Sequence, residues 1–349
     1  MNLNSRKQAF INLGNFLNKY TSQNIDAATE EKSQADLLNQ AILNAITHNK
    51  WFTKEDIIYN LKHWSNLLTA ENINTWIKDY NFKEENPKTV AIIMAGNVPL
   101  VGFHDFLSVL ISGHKTLVKQ SSKDQHLLPF IAQFLIEENK NFKSRIEFTE
   151  EKLTDFDAVI ATGSNNTARY FEYYFAKRPN IIRKNRNSVA VLTGEESPEE
   201  LKALGEDIFR FYGLGCRNIS KIFVPENYDF DKFFTAIYDW NPIINSHKYA
   251  NNYDYNKAVY LMSEFKILEN GFLILKEDTA YASPIACLFY EYYEDINNLK
   301  EKLNQDKNQI QCVVSSLEEI SDLDFGKTQL PNLTDYADGI NTLDFLIKI

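Results

Sequence analysis

The chain has 349 residues, 44% of them hydrophobic and 24% charged, which is the balance of an ordinary globular protein at a length that favours two domains. A net charge of −10 argues against general binding to nucleic acid or to an anionic membrane. No apolar run approaches membrane-spanning length, Met1–Lys19 does not read as a signal peptide, and three cysteines make no disulfide framework, so a cytoplasmic protein is expected.

Residues 1–87 read as a helical N-terminal section rich in Asn, Gln, Lys and Glu. Trp51, Phe52, Ile57, Ile58, Leu61, Trp64, Leu67 and Leu68 recur at helical spacing, and Asn86-Pro-Lys ends the section. From Thr89 short β-branched runs alternate with helical periods. Strands are expected at Thr89–Met94, Lys115–Lys119, Arg145–Phe148, Ala158–Ala161 and Val189–Leu192. Helices are expected at Val98–Ile111, Gln125–Glu138 and Asn166–Lys177. Strand and helix repeated in this way imply a parallel sheet covered on both faces, and residues 88–193 form one domain on this reading. Gly194-Glu-Glu-Ser-Pro interrupts the pattern and is the expected boundary, near Thr193–Pro198.

Residues 194–320 form the second domain. A helical stretch from Pro198 to Tyr212 ends at Gly213, and a strand-like run begins at Lys221. Further helices are expected at Glu226–Asp239, Tyr253–Phe265 and Leu299–Asn304, and strands at Phe272–Leu275, Ile285–Phe289 and Gln309–Val314. Residues 321–349 form a C-terminal segment with an apolar end. No CxxC, HExxH or paired-histidine spacing suggests a metal, and neither common nucleotide-binding glycine fingerprint is present.

Four places carry chemistry. Cys216 lies between two glycines and Arg217; a thiol on such a turn is open to solvent and favoured as thiolate, and a small buried hydrophobe is the competing reading. Cys287 and Cys312 sit in apolar strand-like runs and read as core. Asn97 follows a strand end, where open α/β sheets bind ligands, or else caps the next helix. Lys119 leaves a strand and suits a ribose or phosphate if it is not simply solvated. Gly163 and Ser164 stand where helix N-terminal N–H groups take a phosphate, unless they form an ordinary cap.

Taken in order, these segments resemble the aldehyde dehydrogenase superfamily. Ala95–Leu100 is similar to its Asn-x-Pro segment, Gly113–Ser122 to its cofactor-ribose segment, Thr162–Ala168 to its Gly-Ser-Thr phosphate turn and Gly213–Ser220 to its nucleophile segment. Within the superfamily, Ile181–Gly194, Gly213–Lys221 and Asp335–Leu343 resemble the long-chain acyl-CoA reductases related to the fatty acid reductase of bacterial bioluminescence. The resemblance covers residues 88–349 and implies two doubly wound α/β domains behind the helical section. It implies Cys216 as nucleophile, Asn97 as oxyanion donor, and Lys119, Ser122, Gly163 and Ser164 as cofactor-binding residues.

Two departures bear on the reaction and on the cofactor site. Where aldehyde oxidisers carry a hydrolytic glutamate, the aligned stretch is Ile182-Arg-Lys-Asn, and the later ribose-binding glutamate is missing from Ala280–Pro284. The implied reaction is reduction of an acyl-CoA or acyl-carrier thioester to an aldehyde. NADPH is the expected cofactor, because a neutral Ser122 followed by Lys123 tolerates a 2′-phosphate. A cysteine acyltransferase or thioesterase without nicotinamide, and a non-catalytic acyl-binding subunit, are the alternatives. His247 reads as a surface or structural histidine. The apolar tail suggests a homo-oligomer.

Overall fold

Thr89–Ile93 (β1) is a β-branched run with its centre buried on both faces, as a strand inside a parallel sheet must be. In the computed structural model, which describes residues 1–25, 30–82 and 85–349, it is the middle of a five-stranded parallel sheet. The other strands are Lys115–Lys119 (β2), Ile146–Phe148 (β3), Ala158–Thr162 (β4) and Asn180–Arg183 (β5), in the order β3-β2-β1-β4-β5. The chain leaves β1 for β2 on one side and returns to β4 on the other. That reversal opens a crevice at the carboxyl ends of β1 and β4, where open α/β sheets take ligands.

This sheet belongs to a first unit made of residues 1–184 and 332–349. Helices Leu3–Thr21, Glu30–His48, Lys54–Leu67 and Ala70–Ile77 form the expected N-terminal section. Asn2, Thr53 and Thr69 cap three of them by accepting backbone N–H groups. The section has no separate core: Phe10, Leu13, Leu17 and Trp64 share one apolar cluster with Phe103, Phe106 and Phe134. Residues 26–29, 83 and 84 lie outside the described residues.

The second unit, residues 185–331, holds a six-stranded sheet ordered β11-β6-β7-β10-β9-β8. Its strands are Asn187–Val191 (β6), Ile219–Pro225 (β7), Ile267–Glu269 (β8), Ile274–Glu277 (β9), Cys287–Tyr293 (β10) and Ile310–Ser315 (β11). Pairing is parallel except at the short edge strand β8. The leading helix, Pro198–Phe209, starts with a full capping box between Ser197 and Glu200 and has Pro198 in its first turn.

Several expectations need correction. The break between units falls at Lys184–Asn185, ahead of the expected boundary near Thr193–Pro198, because β6 pairs with β7 and β11. A buried apolar strand carries no local mark of which sheet it joins. The helix expected from Val98 starts only at Phe103, since Leu100 adopts a left-handed φ of 57° that breaks a helical path. Residues 226–239 hold the short α-helix Phe230–Ala236 and the start of a 3₁₀ helix, Tyr238–Asn245, and the next α-helix begins at His247, earlier than expected. The strand β5 and the edge strand β8 were not expected.

The apolar tail is also differently used. Leu343 and Leu346 are fully buried in the first unit's core, and His114 Nε2 lies 2.9 Å from the Leu346 carbonyl oxygen. Those two side chains are core, while Ile340 and Ile347 of the same segment stay exposed. Among the described residues, no helix is long and apolar enough to cross a membrane.

Candidate active site

Cys216 lies at the amino end of β7, on the turn that joins helix Pro198–Phe209 to that strand. Before it, Phe211, Tyr212 and Gly213 are three consecutive left-handed residues, with φ of 55°, 58° and 72°. Glycine takes that conformation readily, while two aromatic residues hold it only where their surroundings fix them. Asn218, 2% exposed, supplies much of that fixing. Its Oδ1 accepts from Gly215 N at 2.8 Å, and its Nδ2 donates to the Arg210 and Asp207 carbonyls at 2.8 and 3.1 Å.

Beneath the turn, the buried Ser188 hydroxyl at the start of β6 donates to the Cys216 carbonyl oxygen at 3.0 Å. Ser188 also lies 3.1 Å from Cys312 Sγ. Arg217 reaches the Thr328 carbonyl at 3.4 Å. The Asp207 carboxylate accepts from Gly326 N, Thr328 N and the Thr328 hydroxyl, and burial still pushes it up to about 6.

The three thiols differ in setting. Cys216 is half-buried, whereas Cys287 and Cys312 are buried. Burial raises Cys287 to about 12 and Cys312 to about 11, so both stay protonated at neutral pH. Of the three, Cys216 is the one that is not buried.

In the first unit, the sequence-marked residues gather at the carboxyl edge of the sheet. Asn97 lies just past β1, Lys119 ends β2, and Gly163 and Ser164 follow β4. The segments after β1 and β2 are tied together. Met94 N donates to the Lys119 carbonyl at 3.0 Å, and Gly96 packs so close to Ser121 that a Cβ would stand 2.6 Å from its hydroxyl. The buried Asp124 accepts from Leu100 N at 2.9 Å, holding the left-handed residue that follows Pro99. Asn49 Nδ2 bridges the Gly96 and Lys123 carbonyls at 3.4 and 3.2 Å.

Lys119 Nζ donates to the Glu151 carbonyl at 2.9 Å, and Ser122 and Lys123 are exposed beside it. Ser164 is the N-cap of helix Asn165–Phe175, its hydroxyl accepting from Thr167 N at 3.3 Å. Gly163 lies against that helix, where a Cβ would come 3.0 Å from Thr167 Cβ. A glycine turn into a helix N-terminus, a strand-end lysine and an exposed hydroxyl suit a dinucleotide's phosphates and ribose. Arg183, at the end of β5, turns inward to a two-pronged ion pair with the buried Asp105 and a 3.1 Å bond to the Thr342 hydroxyl.

Sequence reasoning missed Asn218, Ser188, Asp124 and Asn49. An Asn soon after Gly-Leu-Gly-Cys was the one readable hint, since a short amide near a tight turn often bonds its backbone. The others act over long sequence separations. His247 is exposed at the start of its helix, in line with the reading of a surface histidine.

Residues 13–237 match the family model of the acyl-CoA reductases, LuxC. The chain belongs to the acyl-CoA reductase (LuxC) family. No functionally curated protein matched it. The fold is that of the aldehyde dehydrogenases. Aldehyde dehydrogenase 21 from Physcomitrella patens, solved with succinate, aligns at 10% identity over 100% of this chain and 84% of that one, with a TM-score of 0.70. The NAD+ complex of an aldehyde dehydrogenase from Bacillus cereus aligns at 12% identity over 91% and 72% of the two chains, with a TM-score of 0.63. The indole-3-acetaldehyde dehydrogenase AldA of P. syringae, solved with NAD+ and IAA, aligns at 14% identity over 95% and 75%, with a TM-score of 0.65. At these identities the LuxC-family chain shares their fold, and its chemistry must be argued from its own residues.

Proposed function

We propose that this LuxC-family protein reduces a long-chain acyl-CoA to the aldehyde with NADPH, through a thioester on Cys216. The observation that carries this reading is the setting of Cys216. It is the half-buried one of three cysteines, on a turn whose backbone is fixed by Asn218 and Ser188. A nucleophile must be reachable and held in one geometry, and the other two thiols are buried and not easily ionised.

In the first step the Cys216 sulfur forms a bond to the acyl carbon. The oxyanion that develops would be held by the Cys216 backbone N–H, and the family resemblance implies the Asn97 amide as a further donor, a kind of donor typically worth about 3 kcal/mol. The bond to the CoA sulfur then breaks, and CoA leaves as a thiolate that needs no strong acid. Lys119, Ser122, Gly163 and Ser164 would hold the nicotinamide dinucleotide. When bound, that cofactor supplies a hydride to the thioester carbon. Collapse of the resulting thiohemiacetal releases the aldehyde and restores the Cys216 thiol. The stretch Ile182-Arg-Lys-Asn, similar in place to the aldehyde oxidisers' glutamate segment, holds no carboxylate to activate water, so the acyl group is kept for reduction.

Intact-mass measurement with acyl-CoA and no reductant tests this. An acyl adduct is expected on the wild type and absent from Cys216→Ala. An adduct on Cys287 or Cys312, or steady release of free acid, overturns the reading.

A further inference from the structure

Asn97 sits in the loop between β1 and helix Phe103–Ile111, which has no regular structure yet is held from three directions. Asn49 Nδ2, just past helix Glu30–His48, donates to the Gly96 carbonyl at 3.4 Å. Asn60 Nδ2, on helix Lys54–Leu67, donates to the Pro99 carbonyl. Asp124 Oδ2, from the segment after β2, accepts from Leu100 N at 2.9 Å. Every group they hold is a backbone atom one to three residues from Asn97.

Asp124 holds the place that most needs holding. Val101 N donates to the Val98 carbonyl at 3.3 Å, closing a turn with Pro99 and Leu100 at its centre. A turn with a left-handed second central residue favours glycine or asparagine there. Leu100 has φ of 57° and its side chain is buried, so the conformation lasts only where its surroundings fix it. Its N–H takes no part in the closing bond and goes to the Asp124 carboxylate.

That carboxylate sits in expensive surroundings. Asp124 is 9% exposed, and its Oδ1 is buried with no hydrogen-bond partner among the described residues. Burial raises the group to about 6, against the pull of its bond from Leu100 N. Its own backbone is fixed as well: its N–H donates to the Ser121 carbonyl at 3.0 Å, and its carbonyl accepts from Gln120 Nε2 at 3.1 Å. A costly buried carboxyl that steadies a strained backbone is a feature that concentrates at functional sites.

We propose that Asp124 is a positioning residue for the Asn97 amide, fixing through Leu100 N–H the loop that carries this oxyanion donor, with Asn49 and Asn60 as supports. The inference rests on the thioester reading of Cys216 and on Asn97 as a donor. On this account Asp124 touches no substrate and moves no proton. Its effect passes through Asn97, so it should vanish once the amide is gone.

The measurement is the rate of Cys216 acylation by dodecanoyl-CoA at rising concentrations, followed by intact mass. It compares the wild type, Asn97→Ala, Asp124→Ala, the double variant and Asp124→Asn. Asp124→Ala should lower the saturating rate by about tenfold or more, since a small misplacement of a donor is costly to the transition state. The half-saturating concentration should stay within about twofold, because the donor acts on the transition state and not on ground-state binding. In the Asn97→Ala background, the same change should alter the rate by less than about twofold. Asp124→Asn still accepts from Leu100 N and should recover most of the rate. An equal loss in both backgrounds, or no loss from Asp124→Ala, overturns the positioning role and leaves the thioester chemistry standing. Asn97→Ala acylating as fast as the wild type overturns the donor and Asp124 with it. Absence of an adduct on the wild type removes the thioester reading itself. If Asp124→Ala does not fold, Asn60→Ala takes its place in the same comparison, and the same loss, confined to the background that keeps Asn97, is expected.

Discussion

The Asn218 side-chain oxygen accepts the Gly215 backbone N–H at 2.8 Å, across the turn that presents Cys216. The same amide holds the end of the preceding helix through the Asp207 and Arg210 carbonyls. One buried side chain therefore sets both the approach to the thiol and its departure into β7. Replacing it with a smaller residue leaves a backbone donor and several acceptors buried and unmatched.

Asn218→Ala should cost about 1–3 kcal/mol of stability, because each unmatched buried group carries a desolvation penalty. Acylation of Cys216 should slow by more than stability alone explains, since the turn loses its fixed geometry. Urea unfolding and the acylation rate, both measured below the unfolding transition, separate the two effects. Equal acylation in variant and wild type would remove Asn218 as a positioning residue.

Reactivity toward iodoacetamide at pH 8 should single out Cys216. Cys287, at about 12, and Cys312, at about 11, are each at least three units above that pH. Their thiolate fractions are then about one in a thousand or lower. Peptide mapping after brief treatment should find the label at Cys216, with the other two modified only in denaturant.

Asp124 makes stability depend on pH in an unusual direction. Burial raises its folded value from the ordinary 3.8 to about 6, with the bond from Leu100 N pulling the other way. A raised carboxyl binds its proton more tightly folded than unfolded. Its favourable contribution is complete below about pH 4 and is lost as pH rises through about 6, amounting to about 3 kcal/mol in all. Asp124→Asn keeps an acceptor for Leu100 N and removes the titration. The variant should gain on the wild type between pH 4 and pH 7, as read by denaturant unfolding at both ends. A constant difference across that range would show that Asp124 titrates normally.

The choice of cofactor should turn on Ser122. It is exposed beside Lys119 at the exit of β2, with Lys123 next in the chain. A carboxylate there would repel a 2′-phosphate and accept hydrogen bonds from a ribose hydroxyl. Ser122→Glu should lower the NADPH-to-NADH ratio of kcat/KM by about tenfold or more. A wild type that favours NADH, or an unchanged ratio in the variant, would refute this account of the ribose site.

Much of this was legible in local pattern. Continuous β-branched runs at Thr89–Ile93, Lys115–Lys119 and Ala158–Thr162 can be satisfied only as strands buried on both faces, and each is one. Ser197-Pro-Glu-Glu specified a helix start through bonds between residues three apart. Glycine on either side of Leu214 marked the Cys216 turn, because the chain there must depart from ordinary helical geometry. These features depend on neighbours within a few residues, so composition and spacing carry them.

What only the tertiary structure decided depends on residues far apart in the chain. The assignment of β6 to the second sheet follows from its partners Ile219–Phe223 and Ile310–Ser315, which its own residues do not name. Leu343 and Leu346 of the apolar tail are core, because the first unit supplies the apolar surface against which they close. Asp124 could be recognised only once Leu100 was seen in a left-handed conformation with its N–H turned toward the carboxylate. The small pocket bordered by Tyr212, Gly213, Ile219 and Ser220 joins residues from 208 to 287. Its shape is a sum over packed side chains, and no local pattern encodes a sum of that kind.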